Sequence, residues 1–140
     1  MDVQLNLKEP GDVTEGINFL KHSHWQSNPS FQQFHSYTGW MNLVQELIET
    51  NCRAEGLVVG VDGTVLAATI WSPVTDLHYG DVAYPIAHMI DPFWRGNVDM
   101  LRAVSKLRRA CVAALGTEWY LDVRHTSERE QRQRLRSING

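Results

Sequence analysis

The chain has 140 residues, 43% of them hydrophobic, which is enough for one domain with a real core and excludes a disordered tail as the default reading. Its net charge of −3 hides an asymmetry: residues 1–94 hold three Lys/Arg against eleven Asp/Glu, residues 95–140 ten against five. No apolar run approaches the ~20 residues of a membrane helix, no basic segment precedes an apolar one as in a secretory leader, and the two cysteines, Cys52 and Cys111, form neither a metal spacing nor a disulfide framework.

Val3, Leu5 and Leu7 alternate with polar neighbours, which predicts a half-buried strand. After the break at EPGD, Asp12 and Glu15 form a D-x-x-E pair at the start of a helix whose apolar face is Val13, Ile17 and Leu20. KHSHWQSNPS follows as a loop. His22 and His24, with His35 further on, lack a converging third ligand, so no metal site is predicted. Trp25, Phe31 and Phe34 read as a lid on the core or as an acceptor-site wall. A second helix over 37–50 carries Tyr37, Trp40, Met41, Val44, Leu47 and Ile48 at helical spacing.

GLVVGVDGTVLAATIW, residues 56–71, reads as two strands about a two-residue Asp62-Gly63 turn. VTDLHYGD is a connection or an extension of the second strand. Residues 82–90 make the next strand, where Pro85 cannot donate to a ladder and marks a bulge or an open edge. A helix over 98–115 follows, with Leu101, Val104, Leu107, Cys111 and Leu115 on one face and Gly116 at its end. Cys111 is expected to be an inert core thiol and Cys52 an exposed one without a marked nucleophilic setting. Trp119, Leu121 and Val123 alternate as a last strand, and SEREQRQRLRSI reads as a final charged helix capped by Ser127. The order is β-α-α-β-β-β-α-β-α, an α/β domain over 1–140 with a mixed sheet and helices on its faces.

IDPFWRGN, residues 90–97, sits between strand and helix. The first amides of a helix lack partners and carry the positive end of its dipole, so they favour an anion. Arg95 adds a cation with several donors and Gly96 allows close backbone approach. The same residues also suit a plain bend in which Pro92 starts the turn, Phe93 and Trp94 plug the core, and Arg95 is solvated. Local chemistry leaves both readings open.

The element order and this stretch together resemble the GNAT superfamily of acyl-CoA-dependent N-acyltransferases. Its signature is a strand ending Val-x-Pro-x-aromatic-Arg/Gln-Gly-x-Gly/Ala before a long helix, and Ile90, Pro92, Trp94, Arg95 and Gly96 match its first positions. The resemblance implies acetyl-CoA, or another acyl-CoA, as donor. It implies that the backbone of His88, Met89 and Ile90 pairs with the pantetheine arm, and that the amides of Arg95, Gly96, Asn97 and Val98 cradle the pyrophosphate. It further implies that strand 82–90 splays from strand 117–123. His88 is the first candidate for a general base by its near-neutral intrinsic pKa, with Asp91 and His78 behind it.

Three departures point instead to a degenerate site. Val98-Asp99-Met100-Leu101 stands where further glycines belong, and Asp99 brings a negative charge to the anion turn. No tyrosine follows Tyr120, so the family's usual general acid falls on Arg134 or Leu135. The family's last two strands are missing, which leaves strand 119–123 as an edge for a partner chain to cover. A closer likeness, on the RHTSE run at 124–128, is to small GNAT-like proteins of tailed phages, some of them virion-associated. The alternative function is therefore a catalytically silent structural or interaction protein. Under either function the protein is expected in the cytoplasm or in a phage particle, and the alternative would assemble through that edge and the basic C-terminal helix. Arg129, Arg132, Arg134 and Arg136 lack the interleaved aromatics of a nucleic-acid face, although a nucleic-acid partner stays open beside the protein one.

Overall fold

The computed structural model describes residues 1–15, 25, 36–127 and 130–140. Among them, a six-stranded sheet runs in the order β1 (Asp2–Lys8), β2 (Arg53–Val59), β3 (Val65–Asp76), β4 (Gly80–Ile90), β5 (Trp119–His125) and β6 (Gln131–Ser137). Every neighbouring pair is antiparallel except β4 and β5, which are parallel. Helix α1 (Tyr37–Glu49) precedes β2, and helix α2 (Val98–Ala114) joins β4 to β5. The mixed α/β sheet expected from the element order is the observed architecture.

Strand alternation decides which face each helix covers. On β2, Ala54, Gly56 and Val58 point one way, Arg53, Glu55 and Leu57 the other. A Cβ on Gly56 would lie 3.0 Å from Cys111 Sγ and 3.3 Å from a Leu107 methyl, so this face belongs to α2. Met100, Val104, Leu107, Cys111 and Val112 bury themselves here against Val58, Ala67, Trp71 and Ala83. Leu101, expected on that stripe, is 50% exposed and Met100 takes its place, one residue round the helix.

The opposite face holds a charge pair. Arg53 Nε donates to Glu55 Oε2 at 2.6 Å, and both side chains are fully buried. Arg53 also donates to the carbonyls of Asp12 (2.8 Å) and Asn51 (3.0 Å), while Glu55 accepts from the Glu15 amide (3.0 Å). Glu49, at the end of α1, accepts from the Thr14 amide at 3.4 Å. The segment after β1 is thus tied to β2 and α1 through polar groups. The helix expected over 12–20 falls mostly outside the described residues. Asp12 accepts from the Glu9 amide, behind it in the chain, and residues 12–15 are not helical. His22, His24, His35, Phe31 and Phe34 also lie outside the described residues.

Helix α1 is capped by Ser36, whose hydroxyl accepts from the Gly39 amide, and it buries Trp40 and Ile48. The β2–β3 connection is longer than a two-residue turn. Gly60 N–H donates to Thr64, Gly63 N–H closes back onto Gly60, and Gly63 takes a φ of +82°. Asp62 is spent holding the Thr64 amide, which explains why the Asp-Gly pair sits within a larger loop.

The C-terminal helix is overturned. Residues 131–137 form β6, paired along the whole of β5 from Trp119↔Ser137 to His125↔Gln131. The Arg-Gln-Arg-Leu-Arg alternation is a strand period, and Asp122 draws Arg136 across at 2.8 Å. The edge expected at β5 is therefore covered by this chain itself. Leu135 and Arg134 are cross-strand partners of Leu121 and Asp122, not positions on a helix. One strand beyond the expected set is present. No helix among the described residues is long and apolar enough to cross a membrane.

Candidate functional site: a fork between two parallel strands

Pro85 and the residue after it determine the site. On β3, Trp71 pairs with Pro85 and Ile70 with Ala87, so Ile86 is an extra, bulged residue on β4. A bulge bends its strand and increases its twist. On the other side of β4, pairing to β5 consists of Val82↔Trp119 and Ala83↔Tyr120. Both strands continue, β4 to Ile90 and β5 to His125, without a ladder between them. The result is a fork whose apex is at Ala83 and Tyr120. Its β4 arm, from Pro85 onward, presents a strand edge that pairs with no other strand among the described residues. Such an edge is a template for an extended, amide-bearing ligand.

The turn at 91–97 stands at the open end of the fork. Asp91 N–H donates to Leu66, and its carboxylate accepts from the Phe93 amide at 3.0 Å, starting the short 3-10 turn Pro92–Trp94. Trp94 packs against the α2 core cluster, whereas Phe93 is 86% exposed and plugs nothing. Gly96 has a φ of +81°, with open space where a Cβ would be. Asn97 caps α2, its Oδ1 accepting from Met100 N–H at 2.9 Å. Arg95 and Asn97 amides close turn bonds at 3.4 and 3.2 Å. The amides of Gly96, Val98 and Asp99 make no hydrogen bond among the described residues. Two of the four amides named from the motif are thus engaged internally. A third open donor lies at Asp99, whose own carboxylate opposes an anion. The turn fits a pyrophosphate through Gly96, Val98 and Asp99 N–H, with one capping position already filled by Asn97.

Around the fork the structure gathers His88 of β4, Tyr120 and Asp122 of β5, and Arg108 of α2. His88 faces Thr69 across the β3–β4 ladder, Nδ1 lying 3.3 Å from Thr69 Oγ1, which also accepts from Trp71 Nε1 at 2.6 Å. Thr69 opposes Gly56, so His88 lies on the α2 face. Its pKa is lowered below the ordinary 6.5, first by desolvation and then by the Arg108 cation, with Asp122 opposing them. The residue as a whole is exposed, which limits the desolvation. Arg108 reinforces it, and the direction rests on both. The neutral, proton-accepting form therefore dominates at pH 7.

Arg108 lies over the Tyr120 ring, 5.3 Å from its centroid. Its Nε is buried and makes no hydrogen bond among the described residues. An unmade bond of this kind costs about 1–3 kcal/mol. Asp122 does not satisfy it: that carboxylate holds Arg136 at 2.8 Å and Arg124 at 3.6 Å.

Among the remaining candidates, Asp91 is adjacent to the fork, but its carboxylate caps the 3-10 turn. His78 is in the β3–β4 hairpin tip, where its amide is held by Asp76. Roughly 25 Å of strand separates that tip from His88, so His78 is removed from the site. Cys52 is exposed; Cys111 is buried, its thiol pushed up to about 12 by desolvation and the nearby Glu55 charge. An open groove beside α1, about 520 Å³, is lined by Pro10, Asn42, Gln45, Glu46 and Glu49. Glu49 is already bonded to Thr14 and Gln45, and the groove brings together no reactive pair.

No protein-family model and no curated protein sequence matches this chain. Solved structures do. A candidate acetyltransferase from Exiguobacterium sp. 255-15 superposes with a TM-score of 0.54 at 12% identity, over 99% of this chain and 95% of its own. An acetyltransferase from Trypanosoma brucei aligns at a TM-score of 0.46 and 15% identity, over 83% of this chain and 78% of its own. The likeness to phage proteins expected from RHTSE has no counterpart in the description of the Exiguobacterium structure. The chain has the mixed α/β fold of the Exiguobacterium structure; in this chain the parallel fork lies between the fourth and fifth of six strands, with a helix N-terminus at its mouth.

Proposed function

We propose that the protein is an acyl-CoA-dependent N-acyltransferase whose donor lies in the β4–β5 fork. The observation that carries this reading is the ladder that stops after Ala83↔Tyr120 while both strands run on toward the open amides of α2. The β4 main chain at His88, Met89 and Ile90 receives the pantetheine amides. Gly96, Val98 and Asp99 N–H, with Arg95 beside them, receive the pyrophosphate.

When bound, the acyl-CoA supplies an activated thioester. His88, neutral at pH 7, takes a proton from the attacking amine as its nitrogen bonds to the acyl carbon. The tautomer with its proton on Nδ1, toward Thr69, leaves Nε2 as the base. The carbon–sulfur bond breaks and the thiolate departs. An ordinary thiol pKa, about 8.5, lets it leave without a dedicated acid and collect a proton from solvent. Fixing the two reactants in one fork contributes the larger share of the rate.

A calorimetric titration with acetyl-CoA tests this. Binding at micromolar to millimolar concentration is expected, weakened at least tenfold by Gly96→Val. That substitution forces a β-branched side chain to positive φ, at a cost of about 1–2 kcal/mol, and fills the approach to the amides. No heat at millimolar donor would overturn the proposal. His88→Ala should lower kcat by about 10²- to 10⁴-fold with binding retained.

One observation favours a second reading. Asn97 holds Met100 N–H and Asp99 places a carboxylate in the same turn, so a silent acyltransferase fold that assembles through the outer edge of β6 is the alternative. It predicts a concentration-dependent oligomer in sedimentation and no response to acetyl-CoA.

A further inference from the structure

Charge at the fork is unbalanced. Near the apex, Arg108, Arg124, Arg134 and Arg136 stand around the carboxylate of Asp122, and His88 is neutral at pH 7. Asp122 is taken by Arg124 and Arg136. Arg108 is a cation pinned over Tyr120, the residue at the apex, with its Nε buried and without a hydrogen-bond partner among the described residues.

The position of Arg108 on its helix is unusual for a charge. It falls between Val104 and Val112, four residues from each, on the stripe that α2 turns toward the sheet. A solvent-facing arginine would occupy the far side, as Arg102 and Arg109 do, both exposed. Placing a guanidinium on the core stripe costs desolvation that stacking on Tyr120 offsets only in part. A bound anion would recover it.

We propose that the fork selects donors whose acyl group ends in a carboxylate, with Arg108 as the residue that reads that carboxylate. This rests on the acyltransferase reading of the same fork. A thioester placed at the bulge, near His88, directs a short acyl chain toward the apex. There a neutral methyl would leave Arg108 as it is, whereas a carboxylate accepts a charge-assisted, geometrically matched hydrogen bond from the guanidinium. Of the acyl groups that fit a short fork, a four-carbon dicarboxylic one is therefore preferred over its neutral equivalent. Transfer to an amine then produces an amide with a free carboxylate and reverses the acceptor's charge from positive to negative.

The test compares succinyl-CoA with butyryl-CoA, equal in chain length and differing in the terminal carboxylate, and includes acetyl-CoA. Binding constants are measured on the full chain by calorimetry. Succinyl-CoA should bind about 10- to 100-fold more tightly than butyryl-CoA. Arg108→Gln should bring that ratio near one, and Arg108→Lys should restore part of it. Equal affinity of the wild-type chain for the two donors overturns the inference while leaving the acyltransferase reading in place, and this outcome does not depend on any variant folding. A preference that survives Arg108→Gln also overturns it, since another residue then reads the carboxylate. If none of the three donors binds, both the reading and the inference fall.

Discussion

Replacing Glu55 by glutamine is a severe perturbation for so small a chemical change. In the native chain Glu55 accepts from Arg53 Nε at 2.6 Å and from the Glu15 amide at 3.0 Å, and neither ionic side chain has any exposed surface. A carboxamide has one acceptor where the carboxylate has two, so its NH₂ must face either the guanidinium or the Glu15 N–H. Arg53 also becomes a buried cation without a counter-charge. Breaking a buried pair in this way costs about 3–5 kcal/mol, a sizeable part of the roughly 7–21 kcal/mol expected for a chain of this length. At about 3 °C per kcal/mol, the melting temperature should fall by about 10–15 °C. The double replacement Arg53→Met/Glu55→Leu removes both charges. The carbonyl of Asp12 and the amide of Glu15 belong to exposed residues and can turn to water. The double variant should therefore be more stable than Glu55→Gln. Urea denaturation followed by tryptophan fluorescence measures all of this. A Glu55→Gln variant within 1 kcal/mol of the wild type would refute the dry pair, as would strict additivity of the single changes.

The His88 imidazole should titrate below 6.5, read from its ring proton shifts in NMR with His88→Gln for assignment. Arg108→Gln should move that midpoint upward by removing one of the lowering influences; a midpoint at or above 6.5 in the wild type would contradict the assigned environment. The same shift affects stability. The unfolded ring binds its proton near 6.5 and the folded ring only at lower pH. This group therefore has no effect well above 6.5 and withdraws stability as pH falls through and below that value. A thiol reagent should titrate Cys52 in the native protein and reach Cys111 only on unfolding, since burial holds Cys111 protonated up to about 12. Labelling of both at equal rates under native conditions would contradict that.

The elements whose period is strong were legible in the sequence. Helix α2, the two strands around Asp62-Gly63 and the Pro85 irregularity were all legible, because each is decided by local spacing or by a missing N–H, whereas the length of the β2–β3 connection was not. The final strand was not legible. Residues 131–137 carry charges at a period of two, but without an apolar face there is nothing local to separate a strand from a solvated helix. Tertiary pairing with β5 and the Asp122–Arg136 contact decide it. The site divides in a similar way. IDPFWRGN announces a turn before a helix, yet the capture of Met100 N–H by Asn97 depends on side-chain placement that no motif shows. Arg108 left a signal that spacing could have found, its place on the Val104–Val112 stripe. Asp122 and the Arg53–Glu55 pair left little, because alternation gives the face a side chain shares but not how dry that face becomes.

The central claim is that an acyl-CoA occupies the β4–β5 fork. Amide chemical-shift mapping with unacylated CoA tests it most directly, since it requires neither the right acyl group nor an acceptor. The account predicts shifts at Ile86–Ile90 on β4, at Leu121–Val123 on β5 and at Gly96–Asp99 before and in α2, with α1 undisturbed. Shifts confined to the groove beside α1, or none at millimolar CoA, would contradict it.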